Sequence, residues 1–148
     1  MIAGLGDLNF SLVGAAVGSA VGTGIAGMAA IGAWKKAFSQ NKNAPFILTV
    51  FAGAPLTQVF YGWLLRDSIR KAAFPADMQS YVFQMIIGLI AGIAIGMSAY
   101  MQGKAAARAS DALVETGKGF VNYMIVIGII ETVALFVMLF CRMALPKV

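Results

Sequence analysis

The stretch GAAVGSAVG, residues 14–22, returns as GLIAGIAIG, residues 88–96: three glycines at i, i+4 and i+8, repeated at an offset of 74 residues in a chain of 148. Glycines at that spacing share one face of a helix and let a second backbone approach closely, which in lipid is a main source of helix association. The offset is half the chain, so the sequence reads as a duplicated helical hairpin, each half a Gly-rich helix followed by a bulkier one. A single ladder is explained by ordinary packing of membrane helices. Two ladders in register, each on the first helix of its hairpin, point to a closely packed inner layer with the larger residues of helices 2 and 4 outside it.

Composition places that hairpin pair in a bilayer. Hydrophobic residues make up 60% of the chain and charged residues 11%, with a mean hydropathy of +0.84, too apolar for a soluble domain of ordinary composition. Charges bound four apolar stretches of spanning length, about Phe10 to Trp34, Ala44 to Leu65, Tyr81 to Gln102 or beyond, and Gly119 to Cys141. The expected fold is all-α and integral to the membrane, a single domain over residues 1–148 made of halves 1–74 and 75–148.

The opening MIAGLGDLNF has no basic residue of the kind a signal peptide carries, so helix 1 is expected to stay in the mature protein. Cys141 is the one cysteine, which excludes an internal disulfide, and with no histidine a transition-metal site is not expected. The formal charge of +5 lies mostly in the connections, as basic residues at membrane surfaces do, and does not imply nucleic-acid binding. Lys35, Lys36, Lys42, Lys104, Arg108 and Lys118 fall on one side and Arg66, Arg70, Lys71, Arg142 and Lys147 on the other, so charge sets no orientation. The triplet Gly22-Thr23-Gly24 lies inside an apolar helix without a phosphate-loop signature after it.

The apolar run VIGIIETVALFVML, residues 126–139, contains a carboxylic acid, Glu131. A carboxylate at mid-span costs on the order of 3 kcal/mol even on lenient insertion scales, so it is a functional candidate by default. The offset of 74 maps Glu131 onto Thr57, beside Gln58 in the other polar interruption, APLTQVFYGW of residues 54–63. With a hairpin turn near Glu115 to Gly117, Gln102 and Glu131 lie on opposite arms about 14 residues from it, or about 21 Å at the helical rise. With the first turn near Asn41 to Asn43, Thr57 and Gln58 sit about 15 residues from theirs, at nearly the same level. Thr57, Gln58, Gln102 and Glu131 are thus expected to converge within the hydrocarbon, which also requires helix 3 to continue through Lys104 and Arg108.

Pro55 cannot donate to the carbonyl four residues earlier, which loosens carbonyls around Phe51 and Ala54. Tyr61, one turn after Gln58, is placed to offer its hydroxyl to the carboxylate. Carboxylate, amide, hydroxyl and carbonyl oxygens are hard ligands that suit Na⁺ or a proton. The bland readings are that Thr57 bonds its own backbone, that Tyr61 sits at an interface, and that Gln58 and Gln102 make interhelical hydrogen bonds.

These residues resemble a proteolipid rotor component, the c or K subunit, of a prokaryotic V-type ATPase of the sodium-binding type. The resemblance covers essentially the whole chain: GTGIAGMAA (22–30), APLTQVFYG (54–62), MQGKAAA (101–107) and VIGIIETVALF (126–136), with Glu131 29 residues after Gln102. It implies a homo-oligomeric rotor ring in the cell membrane, Gly-rich helices inward, turning against a stator (the a/I subunit) that supplies an Arg. The central stalk and membrane lipids are the other implied partners. The chain would hold no catalytic residue and no organic cofactor, since ATP is hydrolysed in a separate soluble head. Carried over residue by residue, Glu131 is the ion-binding carboxylate, Thr57, Gln58 and Gln102 are side-chain ligands for Na⁺, Ala54 is the backbone-carbonyl ligand, and Tyr61 holds the carboxylate. The family often has Leu-Pro-Gly-Thr-Gln where this chain has Ala54-Pro55-Leu56-Thr57-Gln58, and Met28 stands where relatives often carry Glu. Arg66 and Asp67 are expected to end helix 2 early, as an interfacial ion pair.

Three readings stay open. The same rotor role with protons needs chiefly the acid in an apolar pocket, whereas the added oxygens make sense as replacements for the hydration shell of Na⁺. A four-helix transporter exchanging protons for an organic cation needs a substrate cavity around Glu131, usually lined by aromatics, yet Gly128, Ile130, Thr132 and Ala134 flank it. A passive structural membrane protein would be indifferent to Glu131→Gln.

Overall fold

The computed structural model describes residues 5–147; residues 1–4 and 148, the outermost ends of the two halves, lie outside it. Four helices long and apolar enough to cross a membrane follow one another: α1 Phe10–Ser39, α2 Leu48–Lys71, α3 Met78–Thr116 and α4 Phe120–Met143. No strand occurs among the described residues. α2 is interrupted once, by a 3-10 turn over Ala54–Leu56 that contains Pro55.

Several boundaries differ from those that charge alone marks. α2 begins at Leu48 rather than Ala44, because Pro45 disfavours the helical conformation at the residue before it. The indole Nε1 of Trp34 donates to the Pro45 carbonyl at 2.9 Å and ties this loop back to α1. At its other end α2 continues past Leu65 to Lys71. Arg66 and Asp67 therefore do not stop the helix, and they do not pair with each other: Lys71 Nζ meets Asp67 Oδ2 at 2.7 Å, and Arg66 Nε donates to Asn9 Oδ1 at 2.7 Å. Charged side chains do not interrupt a helix, whose backbone ladder continues until it loses a partner. α3 runs unbroken through Lys104 and Arg108, as the hairpin depths require, and ends at Gly117, whose φ of +66° is a left-handed helix stop. Lys36 of α1 pairs with Glu115 near that end, so both hairpin turns lie on one side.

The two ladders meet face to face. α1 and α3 run in the same direction, Gly14 against Gly92 and Gly18 against Gly96, one turn displaced from the pairing that the repeat by itself would give. A Cβ on Gly14 would lie 2.6 Å from the Gly92 carbonyl carbon, so the approach is backbone to backbone. At the free end Gly88 faces the buried side chain of Asp7. That carboxylate accepts from Ser11 N at 2.9 Å, Ser11 Oγ at 2.5 Å and Asn9 N at 3.1 Å, closing the start of α1.

α2 lies against both members of this pair, and α4 lies against α3 and α2, which makes two layers. Two apolar clusters fill the space between the layers. One, toward the turns, holds Ala26, Ala30, Leu48, Phe51, Ala106 and Ile127; the other holds Ala15, Leu65, Ile69, Ile95, Ala134 and Met138. A polar belt separates them. The outer faces of α1, α3 and α4 carry exposed apolar side chains, such as Val17, Ile90, Ile129 and Phe140.

Gly18→Ala should therefore push α1 from α3, costing about 1–3 kcal/mol by overpacking. Gly32→Ala, where a Cβ meets no atom of the chain within 4 Å, should be close to neutral. Denaturant unfolding of the detergent-solubilised protein compares the two; equal stabilities would contradict the backbone contact.

Candidate ion-binding site

The polar belt is built from one irregularity in α2 and two facing helices. Pro55 has no N–H, and the chain passes it as a 3-10 turn. The Ala54 carbonyl accepts from Thr57 Oγ1 at 3.2 Å, and the same hydroxyl lies 3.3 Å from Gln58 Oε1. One turn of α2 thus presents a backbone oxygen, a hydroxyl oxygen and an amide oxygen together. Leu56, where the resemblance leads one to expect glycine, is half exposed and stands outside this group.

Gln58 and Gln102 are fully buried and joined directly, Gln58 Nε2 donating to Gln102 Oε1 at 2.7 Å. Gln102 Nε2 donates to the Ile127 carbonyl at 3.1 Å and to Glu131 Oε2 at 3.3 Å. The other carboxylate oxygen, Glu131 Oε1, accepts from the Tyr61 hydroxyl at 2.8 Å. All six residues singled out in the sequence, Ala54, Thr57, Gln58, Tyr61, Gln102 and Glu131, are consequently joined in one hydrogen-bonded chain across α2, α3 and α4. Thr132, the other polar residue beside Glu131, is exposed and donates to its own helix at Ile129 O, 2.6 Å away, so it takes no part.

Packing holds these groups at such short range. A Cβ on Gly62 would lie 2.6 Å from both Ala15 Cβ and the Ser11 carbonyl oxygen, so the residue after Tyr61 lets α2 close onto α1. Ser98 was not among the expected residues. Its hydroxyl donates to the Ile130 carbonyl at 2.8 Å, fixing the rotation of α4 and hence the direction of the next side chain, Glu131. The available signal was its position one helical turn before Gln102, on the same face.

The carboxylate is half-buried. Its two oxygens face donors on α2 and α3, while its neighbours Thr132 and Val133 are exposed on the outer surface. Glu131 therefore sits on the boundary between the polar belt and the apolar surface. Carbonyl, hydroxyl, amide and carboxylate oxygens gathered with one formal negative charge suit a monovalent hard cation.

Residues 85–143 match the protein family described as the C subunit of ATP synthase. The matched segment takes in most of α3 and all of α4, with Gln102 and Glu131, and leaves the contribution of α2 outside. The match covers less than half of the chain and likens this second hairpin to c-type proteolipids, the non-catalytic ring-forming components of rotary ATP synthases and ATPases. No curated protein matches the chain.

Tyr61→Phe should remove one of the two side-chain donors to Glu131 and loosen the carboxylate, at a cost of about 1.5–3 kcal/mol for a hydrogen bond to a charged group. The expected result is carbodiimide labelling of Glu131 several-fold faster than in the unaltered protein, read by mass spectrometry; an unchanged rate would mean the hydroxyl does not restrain the carboxylate.

Proposed function

We propose that this chain is the rotor-ring component of a prokaryotic V-type ATPase and that it carries Na⁺ across the cell membrane at Glu131 while ATP hydrolysis elsewhere turns the ring. The match of the second hairpin to the ATP synthase C-subunit family supports the rotor role. The observation that favours Na⁺ is the set of neutral oxygens, Ala54 O, Thr57 Oγ1, Gln58 Oε1 and Gln102 Oε1, in one hydrogen-bonded chain that reaches the carboxylate through Gln102 Nε2. A proton needs a carboxylate and an apolar surround; a cation stripped of water needs several oxygens in place of its hydration shell.

The transport cycle follows from charge. An ionised Glu131 without a cation is unfavourable against hydrocarbon, whereas Glu131 with Na⁺ is neutral as a pair and passes through lipid. Rotation is gated by occupancy in this way. Tyr61 and Gln102 hold the carboxylate inward in the closed position. An arginine of the stator pairs with Glu131 and displaces the ion, and the ion leaves through a stator half-channel. The partners are thus identical copies in the ring, the stator, the central stalk and membrane lipids.

Each protomer carries one such carboxylate for four helices, with Thr57 at the repeat-related position in the first half. A ring with fewer ions per turn commits more free energy to each ion, which suits a pump.

The test is carbodiimide labelling of Glu131 in the purified ring near neutral pH. Millimolar Na⁺ should protect, K⁺ should not, and Glu131→Gln should abolish both labelling and Na⁺ binding. Labelling that is indifferent to Na⁺ but suppressed at higher pH would instead assign protons as the cargo. The absence of a detergent-resistant ring would favour the small-transporter class.

A further inference from the structure

Among the described residues two buried side-chain polar atoms have no hydrogen-bond partner, Ser19 Oγ and Thr23 Oγ1, and both are on α1. Ser19 is 1% exposed. A buried hydroxyl left unpaired is destabilising, the more so in a bilayer where no bulk water reaches it, and alanine at that position would remove the penalty without loss of helix propensity.

Their depth is informative. On every helix the two apolar clusters leave a gap: Ile95 to Ala106 on α3 spans Ser98 and Gln102, and Ile127 to Ala134 on α4 spans Glu131. On α2 the gap between Phe51 and Leu65 spans Ala54, Thr57, Gln58 and Tyr61. On α1 it runs from Ala15 to Ala26, and Ser19 and Thr23 are the polar side chains in it. α1 and α2 are antiparallel, with Ala15 against Gly62 and Gly22 against Pro55. That register puts Ser19 level with Gln58 and Thr23 level with Ala54, on the faces that the two helices turn toward each other.

Gln58 is the group that has to change when a cation arrives. Its Nε2 has two hydrogens and makes one bond, to Gln102 Oε1. A cation drawing both amide oxygens toward itself repels the amide nitrogens, and a fully buried Gln58 then needs an acceptor on the side away from the ion. We propose that Ser19 is a positioning residue for the cation site: its hydroxyl accepts the Gln58 amide hydrogen when the cation is bound and locks Gln58 Oε1 onto the ion. Ser19 Oγ thereby gains the partner it otherwise lacks, and Na⁺ is held by a second layer of contacts from α1, the helix that supplies none of the expected ligands. This inference rests on the sodium reading above.

The experiment compares rings of the unaltered protein and of Ser19→Ala, measuring the Na⁺ concentration that halves carbodiimide labelling of Glu131, together with the labelling rate in Na⁺-free buffer. The expected result is about a tenfold rise in the half-protecting Na⁺ concentration, with the Na⁺-free rate and the assembled ring unchanged. Alanine is smaller than serine and the better helix former, so the ring has no steric reason to fail. If the unaltered ring is protected by Na⁺ and Ser19→Ala is protected at the same concentration, the role of Ser19 is overturned while the sodium reading stands. If the unaltered ring shows no protection, the sodium reading is overturned and this inference with it.

Discussion

No water is available at mid-bilayer depth to solvate a carboxylate, so every partner of Glu131 has to come from the protein itself. Tyr61 and Gln102 supply the immediate donors, and Gln58 and Thr57 extend the chain to the Ala54 carbonyl. These side chains are of moderate length and are anchored on three different helices. They reach one another because the backbones are close, and the backbones are close because glycines or alanines stand where α1 meets α3 and Gly62 stands where α2 crosses α1. Removing the ladders would lengthen the gaps between helices and leave the polar groups stranded.

The duplication is used asymmetrically. Both halves carry the same glycine ladder, yet the ladders mesh one turn out of the register that the repeat implies, so α1 and α3 are not interchangeable. α3 bears Gln102 and Ser98, which face α4 and fix both the carboxylate and the backbone beside it. α1 bears two hydroxyls at the same depth without partners. The second helices diverge likewise: Thr57 turns toward its own carbonyl and amide neighbours, while Glu131 at the equivalent place takes the charge. A single carboxylate for four helices gathers polar groups of both halves around one acid.

The helix ends show a different division. Charge and hydropathy mark four apolar runs, but the helices overrun the charges that bound them. α3 extends through Lys104 and Arg108 to Thr116, where its far end meets Lys36 of α1 through Glu115. α2 runs to Lys71 because Asp67 and Lys71, four residues apart, pair along the helix instead of interrupting it. Arg66 turns to Asn9 and links the start of α1 to α2. Of the charged residues that looked like terminators, Asp67 pairs within α2 and Arg66 ties α2 to the start of α1.

Much of this protein was legible in its residues. The 74-residue repeat, the four apolar runs and the rarity of a mid-span acid follow from composition and spacing, because lipid admits few structures and penalises charge severely. The common depth of Thr57, Gln58, Gln102 and Glu131 followed from counting along hairpins of constant rise. Which atoms pair, however, was decided only in three dimensions: Ser98 onto Ile130 O, Gln58 onto Gln102, and Ser19 left unpaired at the level of Gln58. Helical periodicity gives each residue a depth and a face, but the rotation of one helix against the next, and the one-turn shift of the ladders, are properties of backbones in contact.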